Sequence, residues 1–328
     1  MLIDNHGRPL RYLRLGVTER CNLRCFYCMP EEGLPWSSKN QLLSYEEMLR
    51  LVSLLAELGI NKVRITGGEP FVRKDLIPFM SELSNIEGIG KLSITTNGTA
   101  PIKHIDALKA MSIHAVNLSL DTLDKERFHK ITRRDEFDQV LAFYKALIEA
   151  EIKTKINAVV MEEHNLDDIL PLVELTQNDP VNVRFIEEMP FNGGSKGYQK
   201  IHWNYRRILD HIMERFPNAQ RLDDHKSSTS YNYQIPRAKG SFGVIPAYSR
   251  SICGTCDRIR LTPKGDLMTC LYQNEGFSFR DFMRAGASDQ DIKEKFMYFF
   301  KNRAKDGFEA EEQKNQSNTF ESMATIGG

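Results

Sequence analysis

The stretch Cys21-Asn22-Leu23-Arg24-Cys25-Phe26-Tyr27-Cys28 decides how the rest of the chain is interpreted. These three closely spaced cysteines follow an apolar run, residues 12–17, that predicts a β-strand. Three thiolates at this spacing can bind three irons of one cubane cluster and leave the fourth iron without a protein ligand. An open coordination position is where a bound metal centre can do chemistry.

A second group of cysteines, Cys253, Cys256 and Cys270, lies far along the chain, and the six cysteines of the protein form these two groups alone. A chain of 328 residues does not need a disulfide framework to fold. The grouping therefore indicates metal binding. A zinc site is the alternative for each group, although zinc normally takes four ligands and no histidine follows the second group.

The bulk composition limits the possible functions. Lysine plus arginine equals aspartate plus glutamate, at 44 each, which argues against a general nucleic-acid or membrane-surface role. The residues are 41% hydrophobic, enough for a real core, and no stretch resembles a membrane span. We expect a cytoplasmic protein with one large domain and a smaller appendage.

Short apolar runs alternate with helical stretches over the first two thirds of the chain. Strands are predicted at residues 63–65, 92–95, 115–119, 156–160 and 181–186, and helices at residues 44–58, 102–111, 137–149, 166–176 and 203–215. This alternation predicts a parallel sheet that closes into a full or partial barrel. Ligands then bind at the carboxyl ends of the strands, where Gly68, Glu69, Thr95, Ser119 and Glu187 fall. Residues 217–254 show no helical period, and residues 305–322 predict a disordered tail.

The first cysteine group resembles the signature of the radical S-adenosylmethionine (SAM) superfamily, including the aromatic residue before the third cysteine. The resemblance implies that Tyr27 contacts the adenine region of SAM. Gly67-Gly68-Glu69-Pro70 resembles the superfamily's second motif, which binds the methionine amino group. A glycine pair lets the backbone approach a ligand closely, and Glu69 can accept hydrogen bonds from an ammonium group.

The second cysteine group, with Ile326-Gly327-Gly328 at the end of the sequence, resembles the GTP 3′,8-cyclase family of molybdenum cofactor biosynthesis. This resemblance implies a partial (β/α)6 TIM-like barrel over residues 1–215. It also implies a smaller C-terminal region, residues 216–328, that carries a second 4Fe–4S cluster and a flexible Gly-Gly tail. Cys21, Cys25 and Cys28 would hold one cluster and Cys253, Cys256 and Cys270 the other.

Site residues follow from the same resemblance, motif by motif. The implied GTP contacts are Arg14, Arg64, Thr95, Lys155, Arg184, Arg258 and Arg260. The implied SAM contacts are Tyr27, Gly68, Glu69, Ser119 and Met189. Arg258, Arg260, Gly327 and Gly328 would assist catalysis. If residues 256–262 are extended, Arg258 and Arg260 lie on one face, where guanidinium groups can bind phosphate oxygens bidentately.

The family reaction would convert GTP to 3′,8-cyclo-7,8-dihydro-GTP. SAM cleavage would give a 5′-deoxyadenosyl radical that takes hydrogen from C3′ of GTP, after which C3′ attacks C8. The resemblance also implies a homodimer and a downstream partner, the cyclic pyranopterin monophosphate synthase. Three positions depart from the family pattern: Gly16 replaces a common serine, and Glu188 and Asp257 add acidic groups.

Other functions remain open at this stage. A different radical SAM enzyme with an auxiliary cluster, such as a peptide-modifying one, is the principal alternative. A non-catalytic zinc-binding module and an iron–sulfur regulator of nucleic acid are two others, although no basic helix supports the last.

Overall fold

The structure is a computed structural model that describes residues 2–189, 201–273, 276–313 and 322–326. The strands are β1 (Tyr12–Gly16), β2 (Lys62–Thr66), β3 (Lys91–Thr96), β4 (Ala115–Ser119), β5 (Thr154–Val160), β6 (Val181–Glu187), β7 (Gln220–Arg221), β8 (Tyr231–Gln234), β9 (Ser241–Ile245), β10 (Arg258–Leu261), β11 (Asp266–Met268) and β12 (Phe277–Ser278). The helices are α1 (Tyr45–Glu57), α2 (Leu76–Ser84), α3 (Ile105–Ala110), α4 (Lys125–Thr132), α5 (Phe137–Glu149), α6 (Ile169–Asn178), α7 (Tyr205–Arg215), α8 (Phe279–Arg284), α9 (Asp289–Phe300), α10 (Gly307–Glu312) and α11 (Met323–Ile326). Within these ranges, none of the helices is long and apolar enough to cross a membrane.

The chain forms two compact units. Unit 1 contains Met1–Asn22, Leu34–Thr95 and Cys253–Gly328, and unit 2 contains Leu23–Gly33 and Thr96–Ile252.

Unit 1 contains a sheet in the order β12-β11-β10-β1-β2-β3. The strands β10, β1, β2 and β3 are parallel, whereas β11 and β12 are antiparallel additions at the edge. Leu13 and Leu15 are fully buried on one face of β1, which leaves the alternate positions for the opposite face. The predicted capping box of α1 is confirmed, since Ser44 Oγ accepts from the Glu47 amide (3.2 Å) and Glu47 accepts from the Ser44 amide (2.8 Å).

Unit 2 contains strands in the order β4-β5-β6-β9-β8-β7, of which the first four are parallel. The predicted bounds of β4 and α5 agree with the structure. The predicted helix at residues 166–176 begins later, because a short 3-10 turn precedes α6. Pro171 thus lies in the first turn of α6, where its missing amide hydrogen would have had no partner in the helix. Residues 217–254 contain β7, β8 and β9, which the sequence did not predict.

The predicted disordered tail is wrong for part of its length. Helix α10 forms within residues 305–322, and Ala310 on it is 5% exposed. The Asp306 carboxylate caps this helix by accepting from the amides of Phe308 (2.9 Å) and Glu309 (3.0 Å). An N-cap carboxylate satisfies amides that the first turn leaves unpaired. Gly327 and Gly328, and the predicted loop at residues 192–195, lie outside the described residues.

Candidate active site

The first cysteine loop is a tight turn in unit 2. The Cys28 amide donates to the Cys25 carbonyl (2.9 Å), which places these two cysteines on one turn of backbone. The amides of Arg24 and Phe26 donate to carbonyls at the C-terminal end of α4 (2.9 and 3.1 Å) and fix the loop there. Cys21 belongs to unit 1. None of the six cysteines forms a disulfide.

Tyr27, between these cysteines, is held by a carboxylate that sequence reasoning had not assigned to the site. Its hydroxyl donates to Asp121 Oδ2 (2.8 Å), and Asp121 Oδ1 accepts from the Val159 amide (2.8 Å). Burial, followed by the negative charges of Asp121 and the two cysteines, raises the pKa of Tyr27 well above its usual range. Burial raises the pKa of Asp121 to about 6. The phenol therefore stays protonated, and its ring orientation is fixed by β4 and β5.

The glycine pair packs backbone against backbone in unit 1. The Gly68 amide donates to the Thr18 carbonyl, and the Glu69 amide donates to the Arg20 carbonyl, each at 2.8 Å. A Cβ atom at Gly68 would lie 2.3 Å from the Arg20 carbonyl oxygen. Gly67 has φ +145°, and a Cβ there would lie 2.3 Å from the Thr18 carbonyl oxygen. The turn is thus closely packed against the segment that leads into the first cysteine group.

Glu69 is completely buried and accepts from the Phe71 amide (3.0 Å), so it caps the short turn after the glycines. Its predicted contact with the methionine amino group would use the same carboxylate. Burial disfavours the charge of a carboxylate unless donors or cations accompany it, so an ammonium group is a suitable partner for this side chain.

A two-row array of polar side chains lies on one face of unit 1, across β10, β1 and β2. We call it the cation array. Registered neighbours in a parallel sheet present their side chains to the same face, and so do residues two apart on one strand. The first row is Arg258, Tyr12 and Lys62, and the second is Arg260, Arg14 and Arg64. The predicted common face of Arg258 and Arg260 is confirmed because β10 is extended.

The cation array is dense in positive charge and partly buried: Tyr12, Arg64 and Arg260 are buried, whereas Arg14, Lys62 and Arg258 are half-buried. Arg64 and Arg260 are 8% and 6% exposed. Burial lowers the pKa of Arg14 to about 10, and the charges of Arg64 and Arg258 add to this effect. Burial also lowers the pKa of Arg260, together with the charges of Arg14 and Arg258. Packed guanidinium groups that disfavour one another's charge would be stabilised by a polyanion.

Tyr12 and Lys62 are members of the array that sequence reasoning missed. Lys62 Nζ lies 4.1 Å from the centroid of the Tyr12 ring, within cation–π range. Burial raises the pKa of Tyr12, but positive charges around it lower that pKa by more, so the net shift is downward. These charges belong to Arg64, Arg14, Lys62 and Arg258. Among the described residues, the buried Tyr12 hydroxyl has no hydrogen-bond partner. Tyr12 and Lys62 each lie two residues before an arginine of the array, but only the register of the strands brings them into it.

The second cysteine group lies beside the array in the same unit. The Cys256 amide donates to the Cys253 carbonyl (3.1 Å). Burial opposes ionisation of the Cys256 thiol, yet Arg258 and Arg303 lower its pKa to about 7. Burial raises the pKa of Cys270, and the charges of Cys256 and Cys253 add to the increase. Three free thiols, one of them readily ionised, suit an iron–sulfur cluster.

Within the ranges that the structure describes, no three cysteine, histidine, aspartate or glutamate side chains converge on a point that one metal ion could occupy. A cubane is bridged by its own sulfides, and each thiolate binds a different iron. The ligands of such a cluster therefore need not meet at one point.

The predicted residues of unit 2 share one sheet face. Ser119, Asn157 and Arg184 are in register across β4, β5 and β6, and Lys155 lies two residues before Asn157 on the same face. Arg184 Nε donates to Asn182 Oδ1 (2.7 Å). Met189 follows two residues after the end of β6. Thr95 belongs to unit 1, two residues after Ser93, which is in register with Arg64.

Glu187, at the end of β6, has a structural role. It is completely buried and accepts from the Tyr205 amide (2.7 Å), the Ser249 amide (2.7 Å) and the Ser249 hydroxyl (2.6 Å). These bonds join β6 to α7 and to the segment after β9. The carboxylate thereby ties the strand end to its neighbours in unit 2.

The structure gives a physical reason for two of the departures from the family pattern. A Cβ atom at Gly16 would lie 2.7 Å from Pro263 Cδ and 3.2 Å from the Pro263 nitrogen, so glycine fits this neighbour. The negative charge of Asp257 adds to that of Cys256 in raising the pKa of Arg258, which burial lowers. Asp257 thus supports the charge of the adjacent guanidinium. For Glu188, burial raises the pKa, and the charges of Glu162 and Glu163 add to the increase.

Replacing Gly16 with serine is expected to destabilise the protein by about 1–3 kcal/mol, because the new Cβ overlaps Pro263. Thermal unfolding would show a midpoint lower by a few degrees. The Gly16→Ser/Pro263→Ala double variant should recover part of the loss, since it removes the Cδ atom from the contact. An unchanged midpoint in Gly16→Ser alone would show that the contact relaxes without cost.

Two family models together match most of the chain. Residues 15–176 match the radical SAM superfamily, and residues 181–308 match the family described as Molybdenum Cofactor Synthesis C. The chain is similar to SuiB of Streptococcus suis, with a TM-score of 0.62 over 90% of this chain and 67% of that one at 18% identity. This likeness confirms the predicted α/β partial-barrel fold.

Three relatives are similar in sequence. GTP 3′,8-cyclase, mitochondrial, of Arabidopsis thaliana is 42% identical over 90% of this chain and 75% of the relative. GTP 3′,8-cyclase of Heliobacterium modesticaldum is 39% identical over 88% of this chain and 89% of the relative. Molybdenum cofactor biosynthesis protein 1 of Mus musculus is 42% identical over 89% of this chain, which spans about half (46%) of that protein's length. By these similarities, the chain belongs to the GTP 3′,8-cyclase family of the radical SAM superfamily.

Proposed function

We propose that this protein converts GTP to 3′,8-cyclo-7,8-dihydro-GTP in molybdenum cofactor biosynthesis. The observation that carries the proposal is the partly buried cation array beside three free thiols in unit 1. A partly buried set of guanidinium groups suits a triphosphate, which accepts bidentate hydrogen bonds at several oxygens. The names of the Arabidopsis and Heliobacterium relatives agree with this activity.

The family's cofactors are two 4Fe–4S clusters and SAM. We propose that Cys21, Cys25 and Cys28 hold the first cluster and that Cys253, Cys256 and Cys270 hold the second. The first site would thereby supply the electron needed for SAM cleavage, and the second would supply an iron position for binding the guanine. The proposed SAM contacts are Tyr27, Gly68, Glu69, Ser119 and Met189.

The chain's own residues would bind and orient the substrate. The proposed GTP contacts are Arg14, Arg64, Thr95, Lys155, Arg184, Arg258 and Arg260. The reaction breaks the C–H bond at C3′ and forms a C3′–C8 bond within the same nucleotide. The hydrogen atom that C3′ loses would pass to the 5′-deoxyadenosyl radical from SAM, and an electron from an external reductant together with a proton from solvent would replace it at N7. Because both reacting carbons belong to one molecule, holding it in a reactive conformation supplies much of the acceleration.

Several finer features rest on family resemblance alone and are part of the proposal. They are a catalytic role for Gly327 and Gly328, a homodimer, a cytoplasmic location and transfer of the product to the cyclic pyranopterin monophosphate synthase. The division into a radical SAM domain, residues 1–215, and a C-terminal region, residues 216–328, is proposed likewise. Neither nucleic acid nor a membrane is proposed as a partner.

Product analysis tests the proposal. Anaerobically reconstituted protein with SAM and a reductant should form 5′-deoxyadenosine in a GTP-dependent manner, together with a cyclised nucleotide. Formation of 5′-deoxyadenosine to the same extent without GTP, and without a nucleotide product, would leave radical SAM chemistry but remove GTP as substrate. Peptides offered in place of GTP would then test the peptide-modifying alternative.

A further inference from the structure

A buried ion network of Asp4, Arg8 and Arg303 lies against the second cysteine group. None of these three residues belongs to the substrate and cofactor contacts proposed above. Asp4 Oδ2 accepts from Arg8 Nε (2.7 Å) and from Arg303 Nη1 (3.0 Å). The three side chains are at most 6% exposed. Asp4 Oδ1 also accepts from the amides of His6 (2.9 Å) and Arg8 (2.8 Å), which fixes the carboxylate.

The remaining hydrogen bonds of Arg303 reach the backbone around the cysteines. Its Nη1 donates to the Cys256 carbonyl (3.4 Å), and its Nη2 donates to the carbonyls of Arg258 (3.1 Å) and Thr269 (3.0 Å). Thr269 directly precedes Cys270. One guanidinium therefore ties together the backbone segments that carry two of the three cysteines.

Arg8 reaches the segment of the third cysteine. Its Nη1 donates to the Cys253 carbonyl (3.3 Å) and to the Lys305 carbonyl (2.6 Å), and its Nη2 donates to the Ala304 carbonyl (2.8 Å). Asp4 joins the guanidinium groups of Arg8 and Arg303. Together the two groups donate hydrogen bonds to backbone carbonyls at or next to each cysteine of the second group.

The network also places charge at one sulfur. Arg303 Nη2 lies 3.9 Å from Cys256 Sγ, a distance at which a cationic N–H interacts with a thiolate. Burying two cations and one carboxylate costs desolvation energy that an apolar cluster would avoid. Hydrogen bonds and charges at the ligand sulfurs are known to set the reduction potential of iron–sulfur clusters.

We propose that Asp4, Arg8 and Arg303 are positioning residues for the second cluster, and that the charge of Arg303 sets its reduction potential. The inference rests on the proposed assignment of Cys253, Cys256 and Cys270 as cluster ligands. A positive charge beside the sulfurs favours the reduced, more negative state. Removing that charge therefore makes the potential more negative, whereas neutralising Asp4 leaves the guanidinium charges less compensated and makes it more positive.

The test uses the full chain with Cys21, Cys25 and Cys28 replaced by alanine, so that iron, sulfide and electron paramagnetic resonance report the second cluster alone. Redox titration of this protein is compared with the same protein carrying Arg303→Gln, Arg303→Lys or Asp4→Asn. Arg50→Gln is the matched control, because Arg50 pairs with Asp289 (2.7 Å) at an exposed position of the same unit.

We expect a negative shift of potential in Arg303→Gln, a return toward the parent value in Arg303→Lys, a positive shift in Asp4→Asn and no shift in Arg50→Gln. Potentials equal to the parent value in both Arg303→Gln and Asp4→Asn would overturn the inference, whatever the iron content. If Arg303→Gln binds no cluster, the Asp4→Asn variant tests the inference: a positive shift of its potential supports the inference, and no shift or a negative shift overturns it. A parent protein that binds no cluster would instead overturn the ligand assignment itself.

Discussion

The Arg260→Ala variant is expected to convert GTP about 100-fold less efficiently than the wild-type protein, measured as kcat/KM. Arg260 is buried in the cation array, in register with Arg14 and beside Arg258. A pair of charge-assisted hydrogen bonds to phosphate contributes about 3 kcal/mol, which corresponds to this factor. The kcat/KM of Arg260→Lys should lie between those of the wild-type protein and Arg260→Ala, because an ammonium group keeps the charge but not the bidentate geometry.

Arg50→Ala is the control for loss of one arginine, since its side chain is exposed and pairs with a surface carboxylate. It should retain wild-type kinetics. Iron content and SAM affinity should match the wild type in Arg260→Ala, which separates substrate binding from cofactor loading. Unchanged kcat/KM for GTP in Arg260→Ala would remove the cation array from the substrate site.

The Gly68→Ala variant is expected to bind SAM about 5-fold to 150-fold more weakly, because overlap with backbone of this kind costs about 1–3 kcal/mol. The new Cβ would lie 2.3 Å from the Arg20 carbonyl oxygen and 2.7 Å from the Glu19 carbonyl oxygen, so backbone must move. That movement displaces Glu69, whose amide bonds to Arg20. Equilibrium binding of SAM to the reconstituted protein measures the effect.

Gly90→Ala provides a matched control in the same unit. Gly90 is exposed, and its nearest contact for a Cβ is the Asn61 carbonyl oxygen at 4.0 Å. This variant should bind SAM as the wild type does. Equal SAM affinity in Gly68→Ala and Gly90→Ala would show that the glycine turn does not contribute to the cofactor site.

Regular elements with a strong hydrophobic pattern were predictable from sequence. Strand β4 and helix α5 have the predicted bounds: β4 is a short buried run, and α5 repeats its apolar residues with the helical period. Strands β7 and β8 were not predictable: Gln220 and Arg221 are exposed, and β8 is mostly half-buried. Their hydrogen bonds come from neighbouring strands, so no local pattern marks them.

The residues of the candidate site were likewise only partly predictable from sequence. The cysteines and Arg258-x-Arg260 could be found because their spacing alone carries a chemical meaning. Lys62 and Tyr12 could not, since their place in the array depends on the register between β1, β2 and β10. The pairing of Asp4 with Arg303 joins residues 299 positions apart, and neither residue lies in a motif. Such contacts arise from the tertiary fold and leave no trace in local sequence.

Isotope transfer tests the central claim most directly. GTP carrying deuterium at C3′ is incubated with the anaerobically reconstituted protein, SAM and a reductant, and the 5′-deoxyadenosine is analysed by mass spectrometry. If this protein cyclises GTP by removing hydrogen from C3′, the 5′-deoxyadenosine contains the deuterium and the cyclised nucleotide has lost it. Deuterium-free 5′-deoxyadenosine, with the label still in unreacted GTP, would contradict the proposed reaction.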